Sequence, residues 1–173
     1  DLPESEYERL LFAGLGANAA PIITASARLS GAGDGGRRIQ VIGIDPVKEA
    51  GFQRFAVVSD DPMGKLLRLM TEPGSLLLSD DLAEELSISE RSLIVVGIGG
   101  STHEVGGIGR VRPIASGIDT EPVVVADIST VQAIAGQVGR ISRIDLSLTD
   151  RQAEELAESS TAGNVLVPVE SQN

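Results

Sequence analysis

At 173 residues, with 42% apolar and 23% charged side chains, the chain has globular proportions and the length for one domain or two small lobes sharing a core. A net charge of −11, with neither a basic face nor a set of stacking aromatics, argues against nucleic acid and against a polybasic contact with anionic lipid. The absence of cysteine excludes disulfides, thiolate zinc sites and a cysteine nucleophile. Aromatics are 2% of the chain (Tyr7, Phe12, Phe52 and Phe55), so the core must be built from Val, Ile, Leu and Ala.

No run of 18 apolar residues is present, and the opening Asp1-Leu2-Pro3-Glu4 is neither an initiator Met nor a signal peptide. It reads as the start of a segment excised from a longer chain.

Pro3, Glu4 and Glu6 favour a helix start, and Tyr7, Leu10 and Leu11 recur at helical spacing, predicting a helix over 3–14. Residues 20–29 alternate Ile23, Ala25, Ala27 and Leu29 against Thr24, Ser26 and Arg28, which predicts a half-buried strand. A glycine-rich turn at 31–36 leads to a partner strand over 37–45. Residues 46–62 read as irregular apart from the apolar run 55–58, and 61–71 as a weak helix carrying Leu66, Leu67 and Met70, broken by Pro73-Gly74. Leu76-Leu77-Leu78 is a short buried strand. Ser79 caps a helix with Asp80 and Asp81 in its first turn. Strands follow at 92–99, 109–115 and 122–128, the last nearly all apolar and therefore central. Ser129 or Thr130 caps a helix through Val131 and Ile134. Residues 142–148 alternate Ile144, Leu146 and Leu148 inward with Arg143, Asp145 and Ser147 outward. A helix from Thr149 or Asp150 and a last strand over 164–170 complete an α+β chain whose final third runs β-α-β-α-β.

Few residues suggest chemistry. Gly97-Ile98-Gly99-Gly100-Ser101-Thr102 follows an apolar strand, but Thr102 stands where a dinucleotide fingerprint needs its third glycine and no helix follows, so a glycine-rich hairpin is expected. His103 is the sole histidine and lacks the spaced ligands of a metal site or the elbow serine of a triad; it reads as a solvated loop residue. Asp80-Asp81 is explained as helix-start charge and Asp60-Asp61 as a turn before Pro62. Calcium at Asp34 or Asp60-Asp61 lacks the EF-hand spacing. Gly51-Phe52-Gln53-Arg54-Phe55 places two of the four aromatics in a loop-like stretch, where Phe52, Arg54 and Phe55 either plug the core or anchor a partner protein.

Several stretches together resemble the periplasmic core domain of MacB/FtsX-like (LolE/MacB-type) ABC transporter permeases. They are Gly43-Ile44-Asp45-Pro46 with the loop to Phe55, the strand-to-helix element 76–89, the strand–helix–strand run 123–148, and the closing 164–173. Residues 89–94 lack the Gly-Asp turn common in that family. The resemblance implies a porter-like α/β lobe from 1–45 and 118–173 with a smaller β-rich lobe, 46–117, inserted into it. It implies an inner-membrane permease whose extracytoplasmic domain is looped out between two membrane helices, so that both chain ends emerge at one pole. Its partners would be those helices, a cytoplasmic ABC ATPase, an adaptor, lipoprotein or peptide outside the membrane, and a second permease as homodimer or heterodimer. No catalytic residue, metal or cofactor is implied. A free-standing extracytoplasmic solute- or protein-binding module is the alternative, and a small α/β enzyme using the glycine-rich segment for a phosphate ligand stands third; the enzyme requires a concave polar pocket beside His103 and Glu104.

Overall fold

The structure is a computed structural model and describes residues 1–12, 19–30, 36–52, 55–87, 92–113, 122–146, 150–152 and 154. A two-residue strand β1 (Leu2–Pro3) precedes helix α1 (Ser5–Phe12), which carries Glu6 and Glu8 in its first turn. Strands β2 (Ala19–Leu29) and β3 (Arg37–Ile44) pair antiparallel from Leu29 opposite Arg37 to Ile22 opposite Ile44. Next come helix α2 (Pro46–Phe52), strand β4 (Phe55–Val58), helix α3 (Pro62–Thr71), strand β5 (Ser75–Ser79) and helix α4 (Asp80–Glu85). Strands β6 (Ser92–Ile98), β7 (Ser101–Pro113) and β8 (Val123–Asp127), helix α5 (Ile128–Ile134), and strands β9 (Arg140–Ile141) and β10 (Arg143–Leu146) complete the order.

The pairing runs in a ring. β2 pairs with β3, β3 with β8 in parallel, β8 with β5, β5 with β7 in parallel, and β7 with β6. β6 returns to β2 through Arg28 opposite Gly97 and Leu29 opposite Val96, and the Ser30 amide donates to the Val95 carbonyl at 2.9 Å. Closure of this kind satisfies backbone groups that an open sheet would leave at its edges. β10 extends the ring beside β2, and β4 extends it beside β7. Three ring strands (β2, β3 and β8) come from residues 19–44 and 123–127, and three (β5, β6 and β7) from 75–113.

Alternation fills the ring with aliphatic side chains. Ile23, Leu29, Ile39, Val41, Leu76, Leu78, Ile94, Val96, Val105 and Val124 form the interior cluster, and α4 and α5 add Leu82, Ala83 and Val131 to it. A second cluster covers the outer face where α3 lies, joining Leu69 to Ile44, Leu77, Ile108, Val111 and Val125. A third ties α1 to β9 and β10 through Leu10, Ile141, Ile144 and Leu146. Gly43 sets how closely α5 can approach, because a Cβ there would lie 2.5 Å from Ile23 Cγ2 and 3.0 Å from Val131 Cβ.

Several expectations are corrected. Residues 46–52 are helical because Asp45 Oδ1 accepts from the Val47 and Lys48 amides at 3.0 and 3.3 Å and Pro46 opens the first turn. β7 begins at Ser101 and not at Gly109; long pairing with β6 overrides the low strand propensity of Gly106, Gly107 and Gly109. Asp127, not Ser129 or Thr130, caps α5, accepting from the Ser129 amide at 3.0 Å. Ser79 holds the cap position of α4 without a side-chain hydrogen bond. Asp145 is buried, not outward, and its Oδ1 accepts from Arg143 Nε at 3.0 Å. The expected strand over 164–170 and the chain end at Asn173 lie outside the described residues. At the other terminus, Leu2 pairs with Ile141, so the N-terminal strand sits beside the last described strands.

Candidate partner-binding surface

The segment holding the candidate anchors connects α2 to β4. Phe52 is the last residue of α2 and Phe55 the first of β4, while Arg54 lies outside the described residues. Phe55 is half-buried and packs against the outer cluster of Ile44, Leu69, Leu77 and Val111, so its ring supports the fold as well as bordering the surface. β4 pairs with β7 and, among the described residues, with no other strand.

Helix α3 lies beside both α2 and β4. Asp61 caps it, its Oδ1 accepting from the Gly64 amide at 3.0 Å, and Pro62 supplies the first helical residue. Leu69 and Leu66 turn toward the sheet, and Lys65 anchors the helix with a 2.6 Å bond from Nζ to the Ile108 carbonyl. The opposite face is apolar too. Met63, Leu67 and Met70, at i, i+4 and i+7, are 49%, 44% and 45% exposed. Val58 on β4 and Val47 on α2 are also exposed. Single exposed aliphatics are ordinary, whereas three at helical spacing on one face make an apolar stripe. The sequence predicts a weak helix over 61–71 carrying Leu66, Leu67 and Met70, without dividing them between faces. Leu66 and Leu69 form the inner face of α3, and Met63, Leu67 and Met70 the outer one.

The other candidate groups have local duties. Asp80 accepts from Arg112 Nε at 2.6 Å and pairs with Arg110 at 3.5 Å, joining the start of α4 to β7. The hydrogen bond from Arg112 holds the Asp80 carboxyl below the usual carboxylate range, against a smaller opposing effect of desolvation and with further help from Arg110. A carboxyl with a lowered folded-state pKa favours the folded state above its unfolded value, and this contribution is lost as pH falls through the folded one. Asp80→Asn should therefore lower stability most above about pH 5, by a difference that shrinks as pH falls through and below the range in which free carboxylates titrate. Thermal melts of both proteins across this range check it; a constant difference at all pH values would count against the ion pairs as the cause.

His103 lies on β7, not in a loop, and its Nε2 is sealed from solvent without a hydrogen-bond partner in the structure. An open concavity of about 440 Å³ lies against His103, Glu104, Ser129 and Thr130. Its hydroxyls serve the fold: Thr130 Oγ1 accepts from the Gly74 amide at 3.3 Å, and Ser129 Oγ bonds the Asp127 carboxylate. Among the described residues, no nucleophile hydrogen-bonds His103 Nε2, as a triad built on that atom requires. Gly97–Thr102 is a hairpin: Gly99 and Gly100, at φ +58° and +83°, form the two-residue turn between Ile98 and Ser101. Among the described residues, no three His, Asp or Glu side chains gather as metal ligands, and no helix is long and apolar enough to cross a membrane. Asp34 lies outside the described residues.

No family model matches the chain. A curated Mycobacterium tuberculosis protein, described as an ABC transporter permease protein, is 29% identical over 133 residues. The match covers 76% of this chain and 15% of that protein, so the chain spans a small part of its relative's length. The extracellular domain of the noncanonic ABC-type transporter YknZ from Gram-positive bacteria superposes with a TM-score of 0.61 at 13% identity, over 88% of this chain and 77% of that one. The periplasmic region of MacB from Actinobacillus actinomycetemcomitans superposes with a TM-score of 0.57 at 16% identity, over 92% and 74%. The chain thus shares the mixed α/β fold of the extracytoplasmic domains of MacB/YknZ-type ABC permeases, and the expectation carried by the strand–helix–strand run 123–148 is met.

Proposed function

We propose that this chain is the extracytoplasmic domain of an ABC transporter permease subunit, looped outside the membrane between helices of the same polypeptide. The observation that carries the reading is the shared fold with two such domains, joined to a permease relative of which the chain covers 15%. In this role no residue of the chain performs chemistry. A cytoplasmic ATPase hydrolyses ATP, and the domain relays the resulting movement as a change between packed states while engaging an adaptor, lipoprotein or peptide. The proposed division, a lobe of 1–45 and 118–173 with 46–117 inserted, leaves all of α2, β4 and α3 in the inserted part. Partner contact is proposed at Phe52, Arg54 and Phe55 together with the α3 stripe beside them.

The chain's lack of cysteine offers a direct test of placement. Val138 and Leu93 are 79% and 77% exposed. In the full-length protein, made otherwise free of cysteine, Val138→Cys and Leu93→Cys are expected to react with a membrane-impermeant maleimide in intact cells or spheroplasts. Labelling only after lysis would place the domain in the cytoplasm and end the proposal.

A further inference from the structure

Strand β7 carries a polar side chain into an apolar place. His103 stands opposite Val96 of β6 and alternates with Val105, and both valines belong to the interior cluster, so the imidazole lies on the interior face at the end of the ring. Its Nε2 is sealed from solvent and has no hydrogen-bond partner. In either neutral tautomer that atom carries an N–H or a lone pair whose hydrogen bond is unmade. An unmade bond of this kind is destabilising, and an apolar side chain of similar size would avoid the cost. A partner must come from the protein itself, because no solvent reaches the atom.

Helix α5 lines the same open concavity of about 440 Å³ as His103, through Thr130, Ala133 and Ile134. The helix is held firmly on one side only. Val131 is fully buried, and a Cβ at Gly43 of β3 would lie 3.0 Å from its Cβ. Toward β7 there is room. Thr130 Oγ1 accepts from the Gly74 amide at 3.3 Å, just beyond the usual range for such a bond. A hydroxyl both donates and accepts, so Thr130 can bond an imidazole nitrogen in either tautomer.

We infer that α5 has a second packing on the ring, in which it rocks about Val131 into the concavity and the Thr130 hydroxyl bonds His103 Nε2. In the observed packing the Gly74 amide is satisfied and the imidazole is not. In the second the imidazole is satisfied, and the Gly74 amide, on a half-buried turn, passes to water. One hydrogen bond replaces another, so the two packings differ little in free energy, as a two-state element requires. Such an element is what a relay of movement needs, and that purpose rests on the function proposed above. The two packings themselves belong to this chain, whatever protein it is part of.

NMR relaxation dispersion on the full chain is expected to show microsecond-to-millisecond exchange at the amides of Gly74, of Thr102 to Val105 and of Ser129 to Ile134. His103→Leu removes the group that the second packing satisfies. It should flatten these profiles and raise the melting temperature by about 2–4 °C, the scale of one unmade hydrogen bond in a chain of this length. Thr130→Val keeps the shape and loses the hydroxyl, so it should flatten the profiles while melting lower, since the Gly74 amide loses its acceptor. Thr130→Ser should keep the exchange. Flat profiles in the wild type, or exchange that survives His103→Leu or Thr130→Val, overturn the inference. A His103→Leu protein that melts below the wild type does so too, because the imidazole would then be stabilising where it is. Maleimide labelling that placed the domain in the cytoplasm would end the permease reading and leave these profiles unchanged.

Discussion

Replacing Leu77 with alanine is expected to lower the free energy of unfolding by about 2–5 kcal/mol, in the upper part of that range. Leu77 is fully buried on β5, between Val125 on β8 and Gly109 on β7, under the inner face of α3. The space it fills has few means of closing. Its Cδ2 lies 3.1 Å from where a Cβ of Gly109 would be, so the strand beneath offers no side chain to move in. Above it, α3 is fixed by the bond from Lys65 to the Ile108 carbonyl and cannot settle without breaking it. A cavity that cannot collapse adds its own cost to the lost transfer energy. Urea denaturation measures the change, and Leu77→Met, which keeps the volume, should cost less than about 1.5 kcal/mol. Against a typical domain stability of about 5–15 kcal/mol, the alanine variant should be visibly unfolded on mild heating. A loss below about 1 kcal/mol would show that α3 repacks freely, which would also weaken the case for a rigid stripe on its outer face.

The elements that were legible in the sequence are those whose signal is local. β2 and β3 alternate in sequence and pair as expected. The nearly all-apolar β8 lies where that composition puts it, between β3 and β5 with Val124, Val125 and Ala126 buried. The glycine hairpin at 97–102 likewise follows from its own residues. What escaped depends on distant partners. β7 looks like a poor strand because its glycines withhold propensity, and it exists because β6, β5 and β4 all pair with it. Closure of the ring depends on two residue pairs between β2 and β6, separated by almost 70 positions in sequence, a contact that no local pattern encodes. Asp145 was assigned to solvent by alternation alone, whereas its neighbour two residues back supplies the guanidinium that accompanies its burial. The proposed partner surface is half legible in the sequence. The aromatics drew attention to 51–55, but the broader apolar exposure lies on the adjacent helix, and its two faces become distinct only once Leu66 and Leu69 are seen against the sheet.

If the chain acts as proposed, Met63→Ser, Leu67→Ser and Met70→Ser, combined in the full-length protein, are expected to weaken capture of the proposed extracytoplasmic partner by about 10-fold or more while leaving the domain folded. The magnitude follows from the energetics of contact surfaces, where truncating a few central apolar anchors removes much of the affinity. The folding side of the expectation follows from exposure. All three side chains are close to half exposed on the outer face of α3, and surface substitutions of this kind change stability within about 0.5 kcal/mol each. Phe55→Ala provides the contrast. Its ring packs against the outer cluster that holds Leu69, Leu77 and Val111, so its loss should lower the melting temperature as well as any capture. The partner is detected by photo-crosslinking from position 67 in intact cells, and capture is then compared between the wild type and the triple variant. Equal capture by both would remove the stripe from the proposed contact. A melting temperature that falls as far as that of Phe55→Ala would mean that the outer face of α3 is part of the core. Reduced capture at an unchanged melting temperature separates contact from packing, a distinction that Phe55, packed on the core, cannot make.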